Sequence, residues 1–230
     1  CIRDSCQRYQ GISKAYTPAV REALEATRGE VLTYEGTICD ARFSKCCGGA
    51  TERFDNTWEP VVHPYLDKIT DAPEDLETGD LRDEQTARKW ILSFPPAFCH
   101  TTDRQILSQV LNDYDQETQH FIDFGTIRDI QPIERGVSGR LIRVKITGDK
   151  KTLVIGKELI IRKAFSESHL YSSAFIVEKQ DGIFTFHGAG WGHGVGLCQI
   201  GAAVMGARGY NYKAILQHYF KGCELIKMYE

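Results

Sequence analysis

The segment from residue 187 to residue 202 is the feature of this chain that most restricts how it can fold. It reads HGAGWGHGVGLCQIGA, with glycine at every second position from 188 to 196. Glycines on one side of an extended strand let another group pack directly against the backbone. We expect that group to be either a sugar ring or another strand of the same protein. The spacing fits no G-x-G-x-x-G dinucleotide fingerprint, and the chain has no Walker A or G-x-S-x-G motif.

The other side of the glycine segment would carry Trp191, His193 and Val195. An indole offers a flat face for stacking with a sugar, and an imidazole offers a titratable or hydrogen-bonding group. The alternative is structural: a tight turn that holds a core tryptophan and a histidine bonded to the backbone. Glycine-rich segments occur in functional loops and also in plain bends, so both interpretations stay open at this point.

Composition and charge exclude several classes of protein. With 230 residues, of which 42% are hydrophobic and 26% charged, the chain is typical of a folded protein and not of a disordered, collagenous or coiled-coil one. The 28 basic and 31 acidic residues give a net charge of −3 without a long basic block. This balance argues against a nucleic-acid partner. We also expect no transmembrane segment, because the apolar stretches fall far short of about 18 residues.

Cysteine content points to an oxidising compartment. The chain has eight cysteines: Cys1, Cys6, Cys39, Cys46, Cys47, Cys99, Cys198 and Cys223. An even count without a redox motif is typical of exported proteins, so we expect some disulfides and some buried thiols, with a connectivity that spacing alone does not give. The adjacent Cys46 and Cys47 cannot easily bridge each other, so each needs its own partner or stays free.

Helix and strand signals alternate in mixed order and predict an α+β fold of antiparallel strands, hairpins and several short helices. A first helix begins after Thr17, a good N-cap, and ends at Gly29. An acidic stretch over 71–83 predicts a loop or a subdivision of the chain. The remaining predicted helices cover residues 84–92, 103–112, 157–164, 199–207 and 212–220; the predicted strands lie within 31–43, 121–155, 174–177, 183–186 and 225–229.

Three segments together resemble one family of bacterial cell-wall proteins. The run GAGWGHGVGLCQIGAAVMGARGYNYKAILQHYF resembles the C-terminal signature of the SpoIID/LytB family. Upstream, TRGEVLTYEGTICDARFSKCCGGATERFDNTW is similar to that family's T-x-G-x-V-x-Y-x-G … GG-x-T … W segment, and LYSSAFIVE to its L-x-S-x-x-F stretch. The resemblance covers nearly all of residues 1–230, which we interpret as one SpoIID/LytB-like domain without its N-terminal part.

The resemblance implies a function in peptidoglycan remodelling outside the cytoplasm, in the cell envelope. SpoIID relatives are lytic transglycosylases that cut peptide-free glycan strands to 1,6-anhydro products, and LytB relatives are described as amidase enhancers. A lytic transglycosylase needs one carboxylic acid, which protonates the leaving oxygen and then accepts the proton of the C6 hydroxyl. The implied partners are therefore glycan strands and a cell-wall amidase. The alternative is a non-catalytic glycan-binding or amidase-enhancer module.

The family's catalytic glutamate belongs to a segment resembling E-x-L-K-A-Q-A-V-x-A-R-T, which these 230 residues do not contain. Glu52 is the acidic residue nearest a family motif and is our candidate catalytic acid; the alternative for it is a solvated surface charge. The candidate substrate-binding residues are Trp191, His193, Gln199, Gln7 and Tyr9.

Cys1 and Cys6 also have a family counterpart, since some relatives bind zinc near a C-x4/5-C-Q segment. Ser5 stands where such relatives carry a histidine, and two thiolates alone do not close a tetrahedral site. A Cys1–Cys6 disulfide and a zinc cofactor therefore both remain open. A third hypothesis is a metal or thiol-redox protein built on Cys1, Cys6, Cys46 and Cys47.

Overall fold

A computed structural model describes residues 17–72, 76–114, 123–166 and 168–229. It confirms the predicted α+β class. The helices are α1 (Pro18–Ala26), α2 (Phe54–Thr57), α3 (Glu84–Leu92), α4 (Arg104–Tyr114), α5 (Glu158–Ala164), α6 (Gln199–Ala207) and α7 (Tyr212–Tyr219), with a 3-10 turn at Pro64–Leu66. The strands are β1 (Glu30–Tyr34), β2 (Thr37–Ile38), β3 (Phe43–Ser44), β4 (Phe98–Asp103), β5 (Ile127–Arg135), β6 (Leu141–Gly148), β7 (Thr152–Ile155), β8 (Phe175–Gln180), β9 (Ile183–Gly188), β10 (Leu197–Cys198) and β11 (Glu224–Lys227).

The strands form small sheets, mostly antiparallel. Hairpins build the sheet β5-β6-β7 and the pair β8-β9, while β4 pairs with the other edge of β9. A third sheet has the order β11-β1-β2 and joins the two ends of the described chain, because β11 pairs with β1. The short strand β10 runs parallel to β3 and so places the end of the glycine segment beside the loop that follows β3.

Local signals explain where several elements begin and end. The Thr17 side chain accepts a hydrogen bond from the Val20 N–H and caps α1, as predicted. Gly29, with a φ of +74°, follows the helix. The β1–β2 hairpin turns at Glu35 and Gly36, both with positive φ, which is the geometry of a tight two-residue turn. The predicted helices over 84–92 and 199–207 match α3 and α6 residue for residue.

Two larger hydrophobic clusters organise the described residues. One packs β5-β6-β7 and β8-β9 against α4 and α5, with Phe165, Phe175 and Phe186 in mutual ring contact. The other surrounds the end of the glycine segment and includes Val195 and Cys198. The site described below lies where segments of these two clusters meet. No helix in the part of the chain that the structure describes has the length and apolar character needed to cross a membrane.

Candidate functional site

The glycine segment is not the extended strand that its alternation predicts. Strand β9 ends at Gly188, and beyond it Gly190, Gly192, Gly194 and Gly196 have φ values of +77°, +92°, +80° and +71°. Residues other than glycine rarely adopt backbone angles in this left-handed region. The prediction of an extended strand is therefore wrong, because alternation of glycine here reflects a repeated left-handed turn of the backbone.

One of the groups that pack against these glycines is an arginine of the same chain. The guanidinium of the fully buried Arg140 lies so close that a Cβ on Gly190 would be 2.7 Å from Nη2 and a Cβ on Gly194 would be 2.5 Å from Nη1. Real Cβ atoms do not approach other heavy atoms this closely. Gly196 packs instead against the Arg42 carbonyl, directly before β3, where a Cβ would overlap it. The expected packing against another strand of the same protein is therefore confirmed in part, and an internal cation occupies the rest of this side of the segment.

Hydrogen bonds fix Arg140 in that position. Nη1 donates to the Cys47 carbonyl at 2.9 Å and to the Ser138 hydroxyl at 3.1 Å. Nε and Nη2 both donate to the Gly192 carbonyl, at 3.3 and 3.2 Å, and Nη2 also reaches the Cys46 carbonyl at 3.4 Å. One buried side chain therefore joins the loop after β3, the β5–β6 turn and the glycine segment.

Glu52 lies next to this arginine and is buried, with 1% of its surface exposed. Its Oε1 accepts hydrogen bonds from the Arg53 N–H at 3.0 Å, Asn56 Nδ2 at 2.7 Å and the Val137 N–H at 3.1 Å. Its Oε2 accepts from the N–H of Ser138 at 3.2 Å and from its hydroxyl at 2.5 Å. The alternative interpretation of Glu52 as a solvated surface charge is wrong, because the turn at 136–138 closes over the carboxylate.

The Ser138 hydroxyl connects the two buried charges. It donates to Glu52 and accepts from Arg140, so the carboxylate and the guanidinium compensate each other through one bridging oxygen. The Glu52 N–H also donates to the Gly194 carbonyl at 2.9 Å. Buried charges are tolerated when they are paired and fully hydrogen-bonded, and this network meets that condition. The catalytic role predicted for Glu52 stays a prediction.

His193 is buried behind the same network, and its Nδ1 accepts a hydrogen bond from the Val195 N–H at 3.0 Å. Its ring meets the Trp58 ring edge-on, with centroids 4.8 Å apart. Burial, reinforced by the positive charge of Arg140, lowers the pKa of His193 to about 3. The imidazole is therefore neutral at physiological pH and bonded to backbone, as the structural alternative expected.

Trp191 faces the surface instead, with 37% of its area exposed. Its ring stacks on Tyr171 with centroids 4.2 Å apart and an interplanar angle of 1°, and the Lys45 ammonium lies 3.7 Å from its centroid. Two groups this close to one ring fit only on opposite faces. Reciprocal backbone hydrogen bonds with Cys46, at 2.8 and 3.0 Å, hold Trp191 in place.

Gln199 lies beside this stack as the first residue of α6 and is exposed. The neighbouring Ile200 N–H donates to the Lys45 carbonyl at 3.1 Å, which ties the start of α6 to the stack. The structure thus brings together Trp191 and Gln199 on the surface. The other predicted contacts, Gln7 and Tyr9, and the predicted metal ligands Cys1 and Cys6 lie outside the described residues.

Sulfur and oxygen atoms below the glycine segment form a possible metal-binding group. The Sγ atoms of Cys47 and Cys198 and one carboxylate oxygen of Asp71 lie within 4.8 Å of one another. The cysteines that the structure describes are all thiols: Cys39, Cys46, Cys47, Cys99, Cys198 and Cys223.

A family profile described as "Domain of unknown function (DUF8618)" matches residues 52–122 and 116–196, which together make up more than half of the chain. The chain belongs to the DUF8618 family. The first match begins at Glu52 and the second ends at Gly196. The hydrogen bond from Glu52 to Gly194 therefore joins the two ends of the DUF8618 region in space.

Curated relatives of this DUF8618 protein support the SpoIID-like family predicted from its motifs. It is 28% identical to the amidase enhancer of Bacillus subtilis (strain 168) over 95% of its own length and 34% of that protein. It is 25% identical to stage II sporulation protein D of Bacillus amyloliquefaciens over 90% of its own length and 50% of the relative. An uncharacterized protein of Brachyspira hyodysenteriae, BHWA1_00569, is 26% identical over 90% of the chain and 49% of that protein. The chain spans between a third and a half of the length of these relatives.

Sequence reasoning missed several residues of the DUF8618 site. Arg140 and Ser138 follow a strand in an ordinary polar turn, and no local pattern links them to the glycine segment 50 residues later. Tyr171 lies within the LYSSAFIVE stretch that resembles the family pattern, so that stretch was a usable signal. Lys45 precedes the Cys46-Cys47 pair and carries no signal of its own.

Proposed function

We propose that this domain binds the glycan strands of peptidoglycan, outside the cytoplasm, as the glycan-recognition part of a SpoIID/LytB-like cell-wall remodelling protein. The observation that carries the proposal is the exposed stack of Tyr171, Trp191 and Lys45 on a rigid backbone. The names of two relatives, amidase enhancer and stage II sporulation protein D, agree with a cell-wall role.

The chemistry of the stack suits a glycan without stem peptides. Because Tyr171 and Lys45 cover the two faces of Trp191, the C–H groups of a sugar would pack against the exposed edge of this stack. When the stem peptide is absent, each N-acetylmuramic acid exposes a lactyl carboxylate. The Lys45 ammonium, on the face of Trp191 opposite Tyr171, can pair with that carboxylate, and the Gln199 amide can hydrogen-bond acetamido or hydroxyl groups.

A buried network of charged side chains fixes the backbone that carries this surface. The network of Glu52, Ser138 and Arg140 holds the glycine segment, and Trp191 lies within that segment between Gly190 and Gly192. A binding surface held in one conformation loses less entropy when a ligand binds. In this proposal Glu52 and His193 position the binding surface and do not contact glycan.

We favour recognition over cleavage for the described residues because of the contacts around Glu52. Five hydrogen-bond donors surround its carboxylate, three on one oxygen and two on the other, so no oxygen faces a glycosidic bond. A general acid must reach the oxygen that it protonates. The lytic transglycosylase activity implied by the resemblance remains the second hypothesis, and an amidase that the domain stimulates is a partner compatible with either.

Binding can be measured by isothermal titration with peptide-free glycan strands. We expect Trp191→Ala and Lys45→Ala to weaken binding by roughly tenfold or more each, since about 1.4 kcal/mol is a factor of ten. Tyr210→Ala and Lys221→Ala remove an exposed tyrosine and an exposed lysine elsewhere on the surface and should leave binding unchanged. Chitin oligomers lack the lactyl carboxylate, so Lys45→Ala should affect their binding much less. Equal affinity of all four variants for glycan strands would contradict the proposal.

Cleavage is tested by mass spectrometry of the same glycan after incubation with the chain. Intact, bound glycan agrees with a recognition module. Fragments with 1,6-anhydro ends that disappear in Glu52→Gln would instead support a lytic transglycosylase with Glu52 as the acid. A lytic transglycosylase of established activity, incubated with the same glycan, serves as the positive control.

A further inference from the structure

Three metal-ligating side chains converge beneath the glycine segment. Cys47 Sγ lies 3.3 Å from Asp71 Oδ2, and the Cys198 thiol lies within 4.8 Å of both. In a tetrahedral zinc site, with Zn–S near 2.3 Å and Zn–O near 2.0 Å, neighbouring ligand atoms are about 3.3–3.8 Å apart. The observed spacing therefore needs only a small contraction around an ion.

A fourth donor lies on α7. The Nε2 atom of His218 is buried, has no hydrogen-bond partner among the described residues and lies 3.5 Å from Asp71 Oδ1. Buried nitrogen atoms nearly always have a partner, so an orphan beside the Asp71 carboxylate calls for one. His218 lies outside the group of ligand atoms that are all within 4.8 Å of one another, so its ring would complete the site by moving toward the two thiols. We propose that Cys47, Cys198, Asp71 and His218 form a structural zinc site.

Two backbone donors face the Cys198 sulfur and would stabilise its thiolate once an ion is bound. The N–H groups of Cys47 and Gly201 both point at its Sγ from 3.3 Å, and Cys198 is the N-cap of α6. Such N–H donors and the positive end of a helix stabilise negative charge on sulfur. The guanidinium of Arg140, bonded to the Cys47 carbonyl, adds a nearby positive charge. The Tyr219 hydroxyl donates to Asp71 Oδ2 at 2.9 Å and orients the carboxylate.

The donor set selects the metal. Two thiolates with an imidazole and a carboxylate favour zinc over magnesium or calcium, which prefer oxygen ligands. On binding, both thiols lose their protons to solvent and the zinc stays divalent, so no oxidant or reductant is needed. Cys47 and Cys198 are buried, which leaves no open position for a substrate and makes the role structural. The ion would join the loop after β3, the loop at Asp71 and helices α6 and α7.

A disulfide to Cys198 is the competing outcome, because the Cys47 and Cys198 sulfur atoms lie within 4.8 Å of each other. Oxidation would remove Cys198 from the ligand set. The two outcomes are distinguishable, since a disulfide lowers the mass by two hydrogens and zinc raises it. This inference does not depend on the proposed glycan binding, and its test does not use glycan.

The decisive experiment measures metal on the full chain with Cys1 and Cys6 both replaced by serine, so that any metal at those positions is removed. After purification with zinc and exhaustive dialysis, we expect one zinc per chain by elemental analysis. Replacement by cobalt should give the charge-transfer absorption of a cobalt–thiolate bond. In the same background, Cys198→Ser should abolish both signals and His218→Ala should weaken zinc affinity by roughly tenfold or more. Cys99→Ser, an exposed cysteine on β4, is the matched control and should bind zinc normally.

Several results would overturn the site. The first is the absence of stoichiometric zinc from the Cys1/Cys6 variant, and the second is full retention of zinc by Cys198→Ser. The third is a disulfide-linked Cys46–Cys198 or Cys47–Cys198 peptide found by mapping without reduction. Unchanged affinity in His218→Ala would refute the fourth ligand. Circular dichroism of each variant shows whether it folds, and should Cys198→Ser not fold, the cobalt spectrum of the Cys1/Cys6 variant by itself reports thiolate ligation.

Discussion

Gly136 lies against the carboxylate of Glu52 so closely that a side chain of any kind at position 136 would overlap it. A Cβ built there would be 2.5 Å from Glu52 Cδ and 2.6 Å from Oε1. The turn over 136–138 can therefore close over the buried acid and donate to it only because residue 136 is glycine.

We expect Gly136→Ala to lower the free energy of unfolding by about 1–3 kcal/mol, because overpacking forces neighbouring groups to shift. Urea unfolding followed by circular dichroism measures the change. Gly206→Ala is the control: it lies in α6 with open space around it, and alanine there should be neutral or stabilising by up to about 1 kcal/mol. Equal stability of Gly136→Ala and the wild type would contradict the packing described here.

Arg140→Met removes the cation beneath the glycine segment while keeping a long apolar side chain. The carbonyls of Cys47 and Gly192 would lose their donors, and Glu52 would be left as an uncompensated buried charge. We expect a loss of about 3–5 kcal/mol in the free energy of unfolding. The matched variant Arg82→Met removes an exposed arginine paired with Asp80 and should unfold at the same urea concentration as the wild type. Similar losses in both variants would indicate that burial of Arg140 is not the cause.

Stability should depend on pH through His193. Its folded pKa, about 3, lies below the ordinary value of 6.5. As pH falls below about 6.5, the unfolded chain takes up a proton that the folded chain excludes, so stability decreases until pH nears the folded value. The slope approaches about 1.4 kcal/mol per pH unit. Unfolding curves of the wild type and His193→Gln between pH 7 and 4 should therefore converge as pH falls. Parallel curves would show that His193 does not titrate in this way.

Cys39 and Cys223 are placed to form a disulfide under oxidising conditions. Their Sγ atoms are 3.4 Å apart, and burial, followed by the neighbouring Cys39 thiol, raises the pKa of Cys223 to about 12. Because the raised pKa leaves only a small fraction of Cys223 as the reactive thiolate at neutral pH, we expect slow oxidation. A bond between positions 184 residues apart should then raise the free energy of unfolding by about 4–5 kcal/mol. Melting temperatures before and after treatment with oxidised glutathione measure the gain.

The variant Cys39→Ser should lose that gain, and peptide mapping without reduction should find the Cys39–Cys223 pair in the oxidised wild type. An oxidised protein in which these two thiols still react with maleimide would contradict the prediction.

Most of the helices and strands could be predicted from the sequence because their signals are local, whereas the short helix α2 and strand β4 were missed. Thr17 caps α1 with its own side chain, and Glu35 and Gly36 form the hairpin turn from adjacent positions. The buried face of α4 is less evident from the sequence: Leu107 is buried, whereas the adjacent apolar Ile106 is exposed. Periodicity predicts that a helix has a buried face, but it does not predict which residues lie at the boundary of that face, because this depends on the elements that pack against the helix.

The site could be predicted only in part. The glycine segment and Trp191 were recognisable in the sequence, whereas the backbone conformation of that segment and the partner of its glycines were not. Arg140 reaches the segment from another hairpin, and its guanidinium fills space that the sequence pattern alone left to a sugar or a strand. Glu52 was recognised as a candidate acid, but its burial depends on the turn over 136–138, which is more than 80 residues away.

By itself, then, the sequence determined the α+β class, the position of most of the longer helices and hairpins, and the SpoIID-like family, since these follow from caps, turns, periodicity and contiguous motifs. Only the tertiary structure decided which charges are buried together, which face of Trp191 is covered by Tyr171 and which cysteines meet Asp71. The physical reason is that hydrogen bonds and packing between distant segments depend on three-dimensional distances of a few ångström. Local sequence patterns do not indicate those distances.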